Sequence, residues 1–307
     1  MIRLVVDTDP GVDDAHAIMA AAAYPDARIE AVTTVKGNVS LERTTANACT
    51  ILDVMGINAP IYAGCEQALV AESGGAEGFH GADGLGDSAY PPSPRKVEAE
   101  HAVHALIRLA NAEPGALTLV ALGPLTNLAL ALRLDPTLPR KYRRLVVMGG
   151  AIRSMGNTTL TAEFNFHADP EAAAIILRDW TPLTLVSWET TVEHPFSEAQ
   201  VKALLAHNSP RAEFLRRISQ GALTFLEHLF GRPTMLEPDL LAMAAALEPE
   251  IVRRKATHHV AVELSGALTR GQTCVDWYGM SGKQPNVELA LEMNTERVWE
   301  LLQAALI

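Results

Sequence analysis

The sequence predicts an α/β protein with an open, mostly parallel, Rossmann-like sheet flanked by helices and a few extra strands near the C-terminus. Two observations support this class. Short apolar runs rich in Val, Ile and Leu alternate with longer segments of helical periodicity. Most of these runs end at glycine, aspartate or asparagine, which is typical of parallel strands whose carboxyl ends carry a ligand site.

The elements follow this alternation along the chain. Ile2 to Val6 reads as a buried strand, Pro10-Gly11 as a turn, and the alanine-rich segment to Ala23 as a helix. Further strands are predicted at 29–35, 60–63, 117–121, 145–148, 258–264, 271–277 and 287–291. Helices are predicted at 41–55, 99–110, 125–134 and 295–306, with two more between 197 and 229 and others that begin near Glu171 and Asp239. A long loop rich in glycine and proline is expected from Ser73 to Pro94.

Length and composition limit the possible functions. No linker interrupts the 307 residues, so we expect a single domain over 1–307. The formal net charge of -11 argues against nucleic acids and anionic membranes as partners and suits a neutral small molecule or a cation. Three cysteines form neither a disulfide framework nor a metal cluster, and we expect a soluble protein in the cytoplasm.

Four aspartates crowd into eight residues after the first strand: Asp7, Asp9, Asp13 and Asp14. They fall at the corner between strand and helix, where open α/β sheets bind ligands. Asp13 or Asp14 alone would be read as a helix cap, and another Asp as a turn residue. Those alternatives explain two acids but not four without a Lys or Arg among them, so the pattern favours a site for a hard cation.

Polar residues also follow other predicted strands. Asn38 is either a turn residue or a ligand contact, and His80, between glycines, is either a surface histidine or part of a lid that closes over a ligand. The backbone carbonyl at Leu122 would face outward where its strand ends. Glu163 and Asn165 are predicted on extended backbone, which would place both side chains on one side to grip hydroxyl groups.

These motifs resemble those of the inosine-uridine preferring nucleoside hydrolases. The clearest match is DTDPGVDDAHAI at 7–18. Others follow in the family's order: TTVKGN at 33–38, HGADGLG at 80–86, ALGPLTNLA at 121–129, VVMGG at 146–150 and AEFNFHADPEAA at 162–173. The resemblance covers nearly the whole chain. It implies a homodimeric or homotetrameric enzyme that uses Ca²⁺ to split ribonucleosides, of the purine/inosine or uridine type, into base and ribose.

Carried onto this sequence, the resemblance implies a role for individual residues. Asp9, Asp14, the Leu122 carbonyl and Asp239 would hold Ca²⁺, with Asp9 also taking a proton from the attacking water. The substrate would be bound by Asp13 and Asn165 at the ribose diol, by Asn157 and Glu163 at the 5′ side, and by Asn38 and Met148 along the sugar, under His80.

Two segments depart from the family pattern. Most members carry a histidine just before the last metal aspartate, where this chain has Pro238, and the run Ser187 to Thr190 replaces a Gly-Leu-Asp type. Proline cannot protonate a leaving base. Glu237, Glu189, Trp188 and His228 are the candidates to replace the histidine.

Two other functions stay open on the sequence alone. A haloacid dehalogenase-like phosphatase also begins with a strand and an Asp-x-Asp pair, matching Asp7 and Asp9, but it would not need Asp13 and Asp14. A nucleoside-binding homologue without turnover would keep the metal and sugar residues and lack the acid.

Overall fold

A computed structural model describes residues 1–70 and 74–307. The strands are β1 Ile2–Thr8, β2 Ala27–Thr34, β3 Ile61–Ala63, β4 Leu117–Ala121, β5 Arg144–Met148, β6 Leu183–Val186, β7 Val252–His258, β8 Val260–Val262, β9 Thr273–Val275 and β10 Val287–Met293. The helices are α1 Val12–Ala23, α2 Leu41–Met55, α3 Glu77–His80, α4 Ala102–Ala112, α5 Thr126–Leu134, α6 Leu138–Lys141, α7 Phe164–Ala168, α8 Pro170–Asp179, α9 Trp188–Glu193, α10 Glu198–Leu205, α11 Pro210–Phe230, α12 Pro238–Leu247 and α13 Thr295–Ala304.

An eight-stranded sheet has the order β3-β2-β1-β4-β5-β6-β10-β7. Strands β3 to β10 in this order are parallel to their neighbours, and β7 pairs antiparallel with β10 at one edge. Strands β8 and β9 form a separate antiparallel pair. The mostly parallel sheet and the extra C-terminal strands that the sequence predicts are therefore confirmed.

Alternate residues of β1 pack on opposite faces of the sheet. Leu4 and Val6 join a core with helices α1, α2, α11, α12 and α13, whereas Val5 joins a core with α4, α5 and α8. Because β1 is covered on both faces, its residues from Leu4 to Thr8 are all buried and its centre, Leu4 to Val6, is continuously apolar, as expected for a central parallel strand. Rigid packing on both sides fixes where the chain leaves the strand.

The sheet reverses its strand order between β1 and β4. The chain first builds outward from β1 to β3 and then returns to place β4 on the other side of β1. Such a switch point opens a crevice at the carboxyl ends of the two strands. Asp9 follows β1 and Leu122 follows β4, so both lie at this crevice.

Most predicted elements are confirmed, α2 and β4 with their predicted bounds. The predicted loop from Ser73 to Pro94 contains the short helix α3, and Ser73 itself lies outside the described residues. The predicted strand at 258–264 is wrong in its bounds, because β7 ends at His258 and β8 is confined to Val260–Val262. Strand β6 was not predicted, although its residues LTLV are fully buried.

The prediction of extended backbone at Glu163 to Asn165 is wrong. Glu163 is the N-cap of helix α7, and its side chain accepts hydrogen bonds from the backbone N–H groups of Asn165 and Phe166. Glutamate is not among the usual N-cap residues, so the sequence gives no clear start signal here. Across residues 1–70 and 74–307, no helix is both long and apolar enough to span a membrane.

Candidate functional site

Asp9 lies in a tight space between two glycines at the end of β1. A Cβ at Gly37 would fall 1.9 Å from Asp9 Oδ2, and one at Gly123 would fall 2.4 Å from Oδ1, so no larger residue fits at either place. The Asn38 backbone N–H donates to Oδ2 at 2.8 Å. Asp9 Oδ1 is buried and has no hydrogen-bond partner among the described residues. It is therefore a free acceptor in the interior.

Three further carboxylates meet beside Asp9. Asp13, Asp14 and Asp239 each place one carboxylate oxygen within 4.8 Å of the others. Asp14 and Asp239 are buried, and Asp13 is partly exposed. The first two come from α1 and the third from the first turn of α12, residues more than 200 positions apart in sequence.

Asp14 also caps the helix on which it lies. Its Oδ2 accepts the Gly11 backbone N–H at 2.9 Å, and its Oδ1 accepts the Thr8 hydroxyl. Asp14 can therefore be both a helix cap and a cation ligand. Its capping contacts orient the carboxylate at a helix N-terminus, where negative charge is favoured.

The electrostatics of the cluster oppose ionisation. Burial, followed by repulsion from Asp14, raises the pKa of Asp9 well above its ordinary value. Burial and then repulsion from Asp13 raise the pKa of Asp14 to about 6. The pKa of Asp239 is raised well above its ordinary value by burial and by repulsion from Asp14, Asp13 and Asp9. A positive charge among these groups would reverse the penalty.

The donor set fits a hard divalent cation. It consists of carboxylate oxygens, one of them without any partner, and Ca²⁺ prefers oxygen ligands with carboxylates prominent among them. The described cluster contains neither histidine nor cysteine, the usual zinc ligands. No lysine or arginine lines the described cavity beside it.

Two asparagines hold this arrangement in place. The Asn38 side-chain amide donates to the Asp9 backbone carbonyl at 3.1 Å and to Asp14 Oδ2 at 3.2 Å. The Asn165 amide donates to the Leu122 carbonyl at 2.7 Å and to the Met148 carbonyl at 3.3 Å. The structure thus brings predicted residues from the ends of β1, β2, β4 and β5 to one place.

Two buried glutamates fix the segment between β5 and α7. Glu163 Oε2 accepts the Gly150 N–H at 2.7 Å, and burial raises the pKa of this carboxyl to about 7. Glu189 accepts the backbone N–H groups of Ile152 at 2.8 Å and Arg153 at 2.7 Å. Both carboxylates therefore hold backbone, whereas the sequence predicted only a ligand contact for Glu163.

A cavity of about 560 Å³ opens above the carboxylates. Nine of the residues predicted for the site line it: Asp13, Asn38, His80, Leu122, Met148, Asn157, Glu163, Asn165 and Asp239. Asp9 and Asp14 lie behind this lining. The rest of the lining is mostly apolar, and we call these residues the apolar wall: Phe79, Met155, Phe164, Trp188, Val192, Phe225, Leu226, Leu229, Phe230, Leu236 and Pro238, with further lining atoms from Ala76, Gly156 and Thr158.

His80 is packed over the strand–helix corner. Its Nδ1 accepts the Val12 backbone N–H at 3.1 Å and lies 3.8 Å from Asp13 Oδ1. Burial lowers the pKa of His80 to about 4, so the ring is neutral with its proton on Nε2. The ring also meets Phe79 edge-on at 4.9 Å, and Phe79 meets Phe225 of α11 at 5.6 Å.

Only one of the four residues considered as replacements for the missing acid lines the cavity. Trp188 does, but Glu189 is occupied by backbone N–H groups, and His228 is exposed outside the lining. Glu237 is turned away toward His16, 3.0 Å from its Nδ1.

Apart from Trp188, the sequence did not identify the apolar wall. Phe225, Leu229 and Phe230 lie in an amphipathic helix and look like ordinary core residues in the sequence, yet they are 40–62 % exposed. The four- and five-residue spacing from Phe225 to Leu229 and Phe230, which places these side chains on one face near the end of a long helix, was the available signal for an apolar surface. Thr8, which holds Asp14, was also missed, although it lies between two of the aspartates.

Known proteins resemble this chain over nearly its whole length. A family model described as "Inosine-uridine preferring nucleoside hydrolase" matches residues 4–300. The chain is 35% identical to the inosine-uridine preferring nucleoside hydrolase of Leishmania major, over 99% of this chain and 97% of that protein. It is 31% identical to the pyrimidine-specific ribonucleoside hydrolase RihB of Escherichia coli K12, over 98% and 96%. A solved inosine-guanosine nucleoside hydrolase superposes with a TM-score of 0.92 at 36% identity, over 100% and 99%.

The repulsion among the carboxylates predicts a stability effect of opposite sign with and without cation. At pH 7.5 in chelator, Asp239→Asn should raise the free energy of unfolding by about 1 to 2 kcal/mol, since it removes one of the repelling charges. With excess Ca²⁺ the parent should gain stability and the variant much less. Thermal melts in both buffers measure this. Exposed Asp26→Asn is the control and should change neither value; an Asp239→Asn protein less stable than the parent in chelator would contradict the prediction.

Proposed function

We propose a calcium-dependent mechanism and a substrate preference for this chain, which belongs to the inosine-uridine preferring nucleoside hydrolase family and is therefore an N-glycosyl hydrolase acting on ribonucleosides. This family leaves no support for the haloacid dehalogenase-like alternative. The observation that carries the proposal is the cluster of Asp13, Asp14 and Asp239, of which Asp13 and Asp239 line the cavity, with the unpartnered Asp9 Oδ1 behind the lining.

In this proposal Asp9, Asp14, Asp239 and the Leu122 carbonyl hold the calcium ion. When bound, Ca²⁺ supplies Lewis acidity toward water and hydroxyl oxygens. Asp9 takes the proton of the attacking water, because its Oδ1 has no competing donor. The surrounding carboxylates stabilise the positive charge that develops on ribose as the glycosidic bond breaks.

Ribose is proposed to lie on the polar floor of the cavity. Asp13 is the partly exposed carboxylate of the cluster and is suited to a hydroxyl of the diol, together with Asn165. Asn157, Glu163, Asn38 and Met148 line the same cavity. In this proposal Asn157 and Glu163 would contact the 5′ hydroxyl, and Asn38 and Met148 would contact the sugar. His80, already packed over Asp13, covers it from above.

The base is proposed to lie against the apolar wall. Trp188, Phe225, Leu229 and Phe230 offer stacking and apolar area but no group acidic enough to protonate a base. Purine ribonucleosides have the larger ring surface to stack, so inosine is the first natural substrate to test, with uridine for comparison.

We also place the enzyme in the cytoplasm as a homodimer or homotetramer. Cys49 and Cys65 are free and buried, and Cys274 is free and exposed, which suits a reducing compartment. The exposed side chains of Tyr278 and Met280 offer a surface that a second copy can cover.

Calcium dependence is the first prediction for the proposed function. Purified protein should contain stoichiometric Ca²⁺ and release ribose from ribonucleosides, and removal of the ion should abolish release. Asp14→Ala should lose both calcium and activity. It removes one proposed carboxylate ligand, and Asp13 and Asp239 cannot complete the coordination of the ion without it. Elemental analysis and a reducing-sugar assay measure this. Full activity in chelator would contradict it, and tight nucleoside binding without ribose release would favour the non-catalytic alternative.

Discrimination against 2′-deoxyribonucleosides is the second prediction. If the ion and Asp13 both contact the diol, loss of one hydroxyl leaves buried polar groups unpaired, and kcat/KM should fall by about 10⁴. Inosine and 2′-deoxyinosine are matched substrates with the same leaving base. Comparable values for the two would rule out this sugar contact.

Leaving-group dependence is the third prediction. A positioned general acid typically contributes about 10² to 10⁴ in rate, and Pro238 supplies none. A riboside with an activated leaving group, such as p-nitrophenyl riboside, should therefore be cleaved far faster than inosine or uridine. Rates measured across pH decide the point. Equal rates, with inosine cleavage falling at high pH, would mean that another residue donates the proton.

A further inference from the structure

Three buried polar side chains outside the cavity form a connected row. His16 of α1 places Nδ1 3.0 Å from both carboxylate oxygens of Glu237, the residue before α12. On its other side, His16 Nε2 lies 3.1 Å from the Ser219 hydroxyl of α11. The three residues are 0 %, 4 % and 1 % exposed, respectively.

The hydrogen bonds of this row use both ring nitrogens. The Glu237 carboxylate can only accept, so His16 Nδ1–H donates to it. The Ser219 hydroxyl lies 3.1 Å from His16 Nε2 and 2.7 Å from the Leu215 carbonyl. A buried histidine and a buried glutamate thus satisfy each other, and breaking one would leave the other unpaired in the interior.

The row is not a second reaction centre. Serine, histidine and an acid occur in this order in many hydrolases, where the serine must reach the substrate. Here the void beside Ser219 measures about 10 Å³, enough for one water at most. No group in the row lines the large cavity.

Its position suggests a different use. His16 lies three residues after Asp13, about one turn along α1, and Glu237 lies two residues before Asp239. The row therefore joins the two helices that carry the carboxylate cluster, right beside it. Like charges within 4.8 Å push those helices apart, and the His16–Glu237 pair opposes that push.

We propose that His16 and Glu237 are positioning residues that hold α1 and α12 at the spacing the cation site requires. The inference rests on the proposed calcium site, and it explains what keeps the ligand-bearing helices in position before the ion binds. Ser219 anchors the pair to α11, whose same face carries Leu226 in the cavity wall seven residues further on. Partners that orient metal ligands typically change metal affinity by about 10- to 100-fold when replaced.

The test replaces both members of the pair with apolar residues, His16→Leu with Glu237→Met. Removing both avoids an unpaired buried charge, so the variant should fold and melt near the parent. Calorimetric titration with Ca²⁺ should show affinity lowered by about 10- to 100-fold. The kcat of the double variant should recover at saturating Ca²⁺, which a loss of folding would not allow.

A matched control lies at the other end of the same helix. Glu248, the residue after α12, pairs with Arg297 of α13 at 2.6 Å. Arg297→Met with Glu248→Met removes an ion pair from α12 far from the carboxylates, and calcium affinity should stay at the parental value. Equal losses in both double variants would overturn the proposal, as would parental affinity in the His16/Glu237 variant.

A second measurement needs no variant. In chelator, peptides covering 12–19 and 237–243 of the parent should stay protected from deuterium exchange, because the pair holds them without the ion. Rapid exchange of both would overturn the proposal even if the double variant did not fold. A parent that binds no Ca²⁺ in the titration would instead overturn the calcium site itself and the inference with it.

Discussion

The clustering of four carboxylates, three of them buried, at the carboxyl ends of the central strands is the constraint on which the rest of this structure depends. Asp9, Asp14 and Asp239 are almost wholly removed from water, and burial with mutual repulsion raises the pKa of each. An interior position of this kind is costly unless the charges are compensated. The surrounding elements supply backbone N–H groups, a hydroxyl and an asparagine amide as partial compensation, and leave the remainder for a cation.

Close backbone approach makes this arrangement possible. Gly37 and Gly123 follow the strands on either side of Asp9, and a side chain at either would occupy the space of its carboxylate. The switch point between β1 and β4 brings these turns together, so topology and local composition act at one place. The fold therefore leaves a narrow space between Gly37 and Gly123, and the carboxylate oxygens of Asp9 occupy it.

Local signals made much of this predictable. The strand, turn and helix around Asp9 and Asp14 lie within a few residues, and periodicity and turn residues mark them directly. Three features depend on contacts between distant segments and were not visible: the capping of α7 by Glu163, the exposure of Phe225 at the cavity, and the pairing of His16 with Glu237 across 221 positions. In each case the residue type alone indicates a more common environment. It indicates a polar ligand contact for Glu163, a core position for Phe225, and a surface ion pair for His16 and Glu237.

The part of the apolar wall that α11 supplies and the carboxylates of the cavity belong to different parts of the chain. The floor is built at strand ends that are fixed by two cores, whereas Phe225, Leu229 and Phe230 occupy the last turns of one helix and are partly exposed. Substitutions in those turns carry little folding cost, since few buried contacts depend on them. With base and ribose placed as proposed, substitutions in α11 would change the surface that contacts the base and leave the carboxylates intact, so that substrate range and chemistry could evolve independently.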